Sequence, residues 1–459
     1  MNVEMLSRIQ FAMTSGFHYI YPPLSIGLGL FLVLVEGIYL KTKNPLYKQI
    51  TQFWVKMFAI TFALGVATGL VQLFGFGTNW ARYSSYVGDV FGSALGAEGI
   101  FAFFLEAGFL GVMLFGWEKV SARVHYFSTV MVALGAHFSA VWIVVANSWM
   151  QTPAGFRIVG EGSQAKAVVT DFWQMVFNPS SVDRLTHVVL GCWLAGLFLV
   201  LSVSAYYLLR RKYLPFAQTC MKLSLISTAV VLVLQLISAD VTARGVAINQ
   251  PPKLAAMEGI YETTPRAPLN LVGWVNTETE EVTSIKIPGL LSFLTYRDIN
   301  APVTGLKAFP RDEWPNVAAV FQAYHAMIAM WGLMALVVAL AIWQVKRGRL
   351  EKTKWLLWAL IWAVLFPQVA NQAGWMTAEM GRQPWIVWGL LRTSEGVSRS
   401  IVTSQVVGSL ITLATIYLAL LALFLYLVDA KIKHGPEEEG VPSEEGGVYR
   451  SPYNQNRGE

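Results

Sequence analysis

Residues 185–209 read LTHVVLGCWLAGLFLVLSVSAYYLL. The stretch holds no Asp, Glu, Lys or Arg and a single histidine, His187, and Arg210, Arg211 and Lys212 follow it at once. A helix rises about 1.5 Å per residue, so this length covers the ~30 Å of a bilayer's hydrocarbon. In lipid every backbone polar group must be satisfied within the segment, which selects a helix. The reading is a transmembrane helix with its basic end in the cytoplasm. Eight further stretches read the same way: 16–40, 53–74, 93–116, 126–149, 219–238, 317–344, 355–378 and 400–428. Lys and Arg concentrate in alternate short loops: Lys41, Lys43 and Lys48; Lys119 and Arg123; Arg210, Arg211 and Lys212; Lys346, Arg347, Arg349, Lys352 and Lys354. The expectation is an all-α, polytopic bundle of nine transmembrane helices, N-terminus outside and C-terminus cytoplasmic.

Composition agrees. Of 459 residues, 55% are hydrophobic and only 14% charged, where soluble domains carry about 25%. A soluble enzyme and a disordered scaffold are both excluded. The net charge of +6 sits mostly in membrane loops, so it does not signal nucleic-acid binding. Cys192 and Cys220 both lie in apolar segments, which leaves no disulfide framework and no Cys-based zinc or iron–sulfur site. The 17 Trp, 17 Tyr and 26 Phe suit membrane interfaces and flat cofactors alike.

The chain divides into residues 1–238 with the first six spans, an external loop at 239–316, spans seven to nine at 317–428, and a cytoplasmic tail at 429–459. Residues 1–15 lack a cationic start and a cleavage site, and read as an amphipathic lead-in to the first span. The tail beyond 435 is acidic and bears Gly and Pro, a composition that favours disorder. The external loop, with nine acids and seven bases, is too long for a simple connector.

Ionisable residues inside spans are costly and mark function. Those found here are His18, Glu98, Glu106, His137, His187, His325 and, at a helix end, Glu379; His125 and His434 fall in or beside cytoplasmic loops. His18, Glu98, His187, His325 with Met327, and Glu379 all fall in the outer half of the membrane, which points to one shared site. A His/Met pair with Glu among aromatic rings suits haem iron better than zinc or calcium. Six histidines are too few for a haem-copper centre. The outer end of the eighth span reads GWMTAEMGRQPW, residues 374–385. Trp375, Glu379 and Arg382 are spaced i, i+4, i+7 and share one face. That pattern fits a helix-capping Arg–Glu pair. It fits equally a carboxylate at iron, a guanidinium on a haem propionate and an indole beside the ring. Glu98 and Glu106, eight residues apart, step about 12 Å inward and suit either a proton relay or two buried structural acids.

Several long motifs then identify a family. SRIQFAMTSGFHYIYPPLSIG, FALGVATGL, FGTNWARYSSYVGD, EGIFAFFLEAGFLG, ANSWMQ, KLAAMEG and GRQPW occur in order over nearly the whole chain, which resembles subunit I of the cytochrome bd quinol oxidases. The resemblance implies a membrane enzyme that oxidises quinol at the outer face and reduces O₂ to water, separating charge without a pump. It implies three haems: a low-spin haem b on His187 and Met327, and a high-spin pair, one haem b and one haem d (or a third haem b in its place), with His18 and Glu379 as ligands. By the same motifs Glu98 lies at the oxygen-reducing haem, Glu106 lies next on the proton route, Arg382 binds a propionate, and Trp375 stands between haems. The external loop matches the quinol loop in its short form, with Gln250, Lys253 and Glu258 in QPPKLAAME. Where the family often has Arg two residues before the methionine ligand, His325 stands here. Implied partners are a second multi-span subunit, a small single-span subunit, quinol, O₂ and membrane lipid, with no nucleic acid, in the cytoplasmic membrane of a bacterium or archaeon. The rival reading is a membrane haem electron carrier or quinol-docking sensor that makes no water.

Overall fold

Two prolines set the first feature of the fold. Proline donates no N–H and is favoured in the first turn of a helix, so Pro22 and Pro23 start a helix rather than continue one. The computed structural model, which describes residues 2–99 and 104–437, accordingly has two helices here, α1 (Val3–His18) and α2 (Tyr21–Thr42). His18 is thus the last residue of the lead-in helix, where the sequence placed it just inside the first span. The long helices that follow are α3 (Pro45–Thr78), α4 (Gly88–Glu98), α5 (Phe104–Phe115), α6 (Ala122–Gln151), α7 (Ser181–Arg210) and α8 (Leu214–Asn249). After the short α9 (Pro251–Glu258) come α10 (Val317–Lys346), α11 (Lys354–Trp362), α12 (Leu365–Met380) and α13 (Thr403–His434).

Eight helical stretches among the described residues are long and apolar enough to cross a membrane, with α1 and α2 forming one and α11 and α12 another. The remaining expected span, 93–116, falls on α4 and α5, and residues 100–103 between them lie outside the described residues, as does the tail beyond 437. α11 and α12 are parted at Ala363–Val364, because Pro367 lacks the N–H that would bond the carbonyl of residue 363. α8 runs to Asn249, past the apolar stretch that ends at 238. The all-α expectation needs one amendment. Among the described residues, four two-stranded antiparallel pairs occupy the connections, the longest joining Leu269–Asn276 to Glu281–Ile287 with Val272 opposite Ile285. Gly259, at φ 65°, closes α9 and lets the chain turn into this hairpin; a side chain there would also meet Val282.

α7 is the central helix. Its Leu197, Phe198, Val200 and Leu201 are fully buried. α2 crosses it at two glycines: a Cβ on Gly196 would stand 2.3 Å from the carbonyl carbon of Gly27. Lipid gives helices no hydrophobic reason to associate, so small residues that let backbones touch supply dispersion contact instead. A second tie lies at the other end of the bundle from the α7 N-terminus. Glu36 of α2 accepts from Thr129 (2.6 Å) and meets His125 Nδ1 at 2.6 Å, both on α6. Glu36 is absent from the ionisable residues the sequence singled out. His125, expected in or beside a loop, is fully buried under Trp117, 3.9 Å between rings.

Gly196→Val would put a branched side chain where the α2 backbone lies. It is expected to cost about 1–3 kcal/mol or more. The thermal midpoint of the detergent-purified protein checks this, and a wild-type midpoint would mean that α2 and α7 do not touch there.

Candidate functional site

One helix carries most of the site. Asn371, Trp375 and Glu379 of α12 stand four residues apart and so share a face, and Gln372 and Gly374 flank it. Each meets a different neighbour. Asn371 donates to the carbonyl of Gly191 on α7 (3.4 Å), and Gln372 donates to the carbonyl of Gly16 on α1 (2.7 Å). The Trp375 ring lies 6.2 Å from that of Phe11, which also contacts Phe76 and Trp80. Gly374 faces the sulfur of Met327: a Cβ there would stand 2.9 Å from it. α12 therefore touches the helices that bear His18, His187 and Met327.

At the end of α12 a cluster of charges is buried. Glu379 pairs with Arg382, which is only 2% exposed. Asn147 of α6 donates to Glu379 (2.9 Å), and its amide oxygen accepts from Arg184 of α7 (2.5 Å). Ser148 also accepts from Arg184, at 3.0 Å. One turn on, the Gln151 side-chain carbonyl accepts from Lys253. Lys253 is 4% exposed on α9. Burial first, then the guanidiniums of Arg184 and Arg382, pull its ammonium well below the usual lysine range, with Glu379 opposing.

The remaining candidates are held separately. His18 Nδ1 meets the Thr68 hydroxyl at 3.0 Å, and its ring packs on Gly69. Gln235 Nε2 stands 3.2 Å from each ring nitrogen of His187. Glu98 accepts from Ser139 of α6, and Glu106 is buried on α5. His137, which sequence reasoning counted among the ionisable residues, is a helix tie: Trp193 donates to its Nε2 (2.8 Å), and its Nδ1 meets the Ala133 carbonyl at 2.7 Å.

In the long connection, Gln250 is buried at the α8–α9 junction. Glu258 is fully buried as well. Its Oε2 accepts from the Asn270 backbone N–H (3.4 Å), and its own carbonyl accepts from the Asn270 side chain (2.6 Å). Burial pushes its carboxyl up to about 8, against the Asn270 N–H and the Tyr324 hydroxyl. His325 places both ring nitrogens 2.8 Å from carbonyl oxygens, those of Phe321 and Asn270. Lys253 and Glu258 do not pair with one another. Five residues along α9 turn them about 140° apart.

Sequence reasoning missed the residues that join these parts: Asn147, Gln151, Arg184, Thr68, Gln235 and Asn270. The signal for the first three was present, since ANSWMQ sets Asn147, Ser148 and Gln151 on one stretch and Arg184 stands three residues before His187. The donor set of two histidines, a thioether and a carboxylate fits haem iron. Nearby on α12, the buried side-chain amide of Gln368 has no partner at either end among the described residues, a polar position that a bound group could satisfy.

The comparisons with known proteins decide the family. The family described as cytochrome bd terminal oxidase subunit I matches residues 6–436. The chain belongs to that family. It is 36% identical to the cytochrome bd ubiquinol oxidase subunit 1 of Bacillus subtilis (strain 168), over 96% of this chain and 95% of the other. It is 34% identical to the cytochrome bd-II ubiquinol oxidase subunit 1 of Escherichia coli (strain K12), over 94% and 96%. Among solved structures, the bd oxidase from Geobacillus thermodenitrificans aligns with a TM-score of 0.88 at 28% identity, covering 95% of this chain and 99% of that one. For a bd-type subunit I the cluster at Asn147 carries a direct expectation. Asn147→Leu keeps the bulk and removes the amide shared by Glu379 and Arg184, which should cost about 1–3 kcal/mol. Thermal denaturation in detergent measures it, and an unchanged midpoint would show that neither charge depends on Asn147.

Proposed function

We propose that this chain works as a nine-span, haem-bearing subunit with its N-terminus outside. It is subunit I of a cytochrome bd-type terminal oxidase, a membrane enzyme that oxidises quinol and reduces O₂. The reading without O₂ reduction, an electron carrier or sensor, is not favoured. The observation that carries the site assignment is the single face of α12, which meets the helices of His18, His187 and Met327 and itself bears Glu379.

His187 and Met327 would hold a low-spin haem b. His18 and Glu379 would hold the high-spin pair, a haem b with a haem d or a third haem b. The haems, when bound, supply the one-electron redox chemistry and the oxygen site. The chain does the rest. Gln235 fixes the His187 ring, and Gly374 leaves room for the Met327 thioether. Arg382 would neutralise a propionate, and Trp375, against Phe11, would pack between rings. Glu106 and Glu98 would hand on protons from the cytoplasm, with the Ser139 hydroxyl holding the second. Protons of the quinol would leave outside. Each charge moved across 100 mV stores about 2.3 kcal/mol. Quinol would be oxidised at α9: Gln250 and Lys253 orient it, and Glu258 accepts a proton as electrons leave. A second multi-span subunit, and a small single-span one, would complete the complex in the cytoplasmic membrane of a bacterium or archaeon.

Two outcomes test this. Met327→Leu keeps volume and removes the thioether, so the low-spin haem should turn high-spin while the protein stays folded; a retained low-spin optical spectrum excludes Met327 as a ligand. The second is a pH profile. A general base must be ionised, and a carboxyl near 8 is mostly protonated at pH 7. Quinol-driven oxygen uptake should therefore climb as pH rises through 8. Glu258→Gln should flatten that climb and slow uptake about 10²–10⁴-fold, yet spare uptake driven by an artificial donor that bypasses the loop. Equal losses with both donors, or none with either, remove Glu258 from quinol oxidation.

A further inference from the structure

The charged cluster at the end of α12 is not balanced. Arg382 has a carboxylate partner in Glu379, but the other two cations do not. Arg184 gives two of its N–H groups to Asn147 and Ser148, and Lys253 donates to Gln151; all three acceptors are neutral. Among the described residues no carboxylate lies within 4 Å of either cation. Asp183, next to Arg184, accepts from the Arg184 backbone N–H (2.9 Å) through one carboxylate oxygen and presses the other on Gly245 of α8, where a Cβ would stand 2.7 Å from it. An arginine whose guanidinium hydrogen-bonds only to neutral groups, with the carboxylates of Glu379 and Asp183 acting on it only from a distance, is better satisfied when an anion docks on it directly. The guanidinium is planar and matches a carboxylate through two parallel N–H groups, and Asn147 and Ser148 fix its orientation in advance.

We propose that Arg184 is a further cofactor-positioning residue, whose guanidinium neutralises a propionate carboxylate of a haem bound between α6, α7 and α12. The inference rests on the haem reading above. It adds a second arginine to Arg382, supplied by a different helix. Asn147 bonds both Arg184 and Glu379, so it joins this arginine to the carboxylate proposed at iron. Arg184 also stands one turn before His187 on α7, so the same helix would carry both the guanidinium and a proposed haem ligand.

A cation beside a haem disfavours the more positive, oxidised iron, so removing it lowers the midpoint potential. The test is made on the purified oxidase complex, wild type and variants, with haem content read as the pyridine haemochrome and potentials by optical redox titration. A wild-type complex without haem would overturn the parent reading, independently of Arg184. Given haem in the wild type, Arg184→Gln should lower the midpoint of at least one haem at unchanged haem content. It should also make that midpoint more pH-dependent, as an uncompensated propionate begins to titrate. An Arg184 that merely pins α7 to α6 would change thermal stability and leave every potential in place; unchanged potentials at full haem content reject the proposal. Should Arg184→Gln not assemble, Arg184→Lys and Arg184→Met decide. The first keeps the charge, so its midpoints should stay near wild type while Arg184→Met, which keeps the length and removes the charge, lowers one of them; wild-type potentials in Arg184→Met at full haem content reject the assignment.

Discussion

A carboxylate and a guanidinium share one half-buried amide. Asn147 donates to Glu379 and accepts from Arg184, while Arg382 pairs with the same Glu379. Uncovering one partner of such a buried pair costs about 3–5 kcal/mol, because the other charge is then stranded away from water. The ends of α6, α7 and α12 at this cluster are therefore fixed relative to one another, and with them the side chains best suited to iron. α9 joins the same assembly when Lys253 reaches Gln151, so the long connection is docked on the bundle at the charge cluster.

The scaffold that permits this is apolar and close-packed. α2 and α7 meet backbone to backbone at Gly27 and Gly196, which holds α7 at the centre with little freedom to slide. α6 then runs the length of the bundle as a polar seam. It meets Glu36 through His125 and Thr129 at one end, Glu98 through Ser139 midway, and the Glu379 cluster through Asn147 and Gln151 at the other. In a segment surrounded by lipid, each of these polar groups has to find a protein partner. The hydrogen bonds that result are what bring the separate helices into one site.

Glu258 illustrates how the long connection couples to the bundle. Asn270 bonds Glu258 through its backbone N–H and its side chain, and its carbonyl meets His325 of α10. The Glu258 carboxyl in the connection is thus linked through Asn270 and His325 to the helix that carries Met327. His325 has both ring nitrogens 2.8 Å from carbonyl oxygens, those of Phe321 and Asn270, and so ties α10 to the connection.

Hydropathy alone determined that the chain is a polytopic helical membrane protein, since a run such as 185–209 has no other stable form in lipid. Ordered motifs pointed to the family, and the cost of burying ionisable groups singled out His18, His187, Glu379 and their neighbours. Periodicity placed Trp375 and Glu379 on one face of α12, whereas Arg382, expected on the same face, lies beyond the helix end at Met380 and returns to Glu379 from the turn that follows. What the sequence could not supply is which helix faces which. Lys253 and Glu258 look like a pair in sequence, yet the turn of α9 sends one to Gln151 and the other to Asn270. His125 looked like a loop histidine, because exposure follows from packing that spacing along one chain does not encode. Asn147 stands in the motif ANSWMQ, but the motif does not say what its amide meets; only the crossing of α6 with α7 and α12 makes it the residue on which the charges meet.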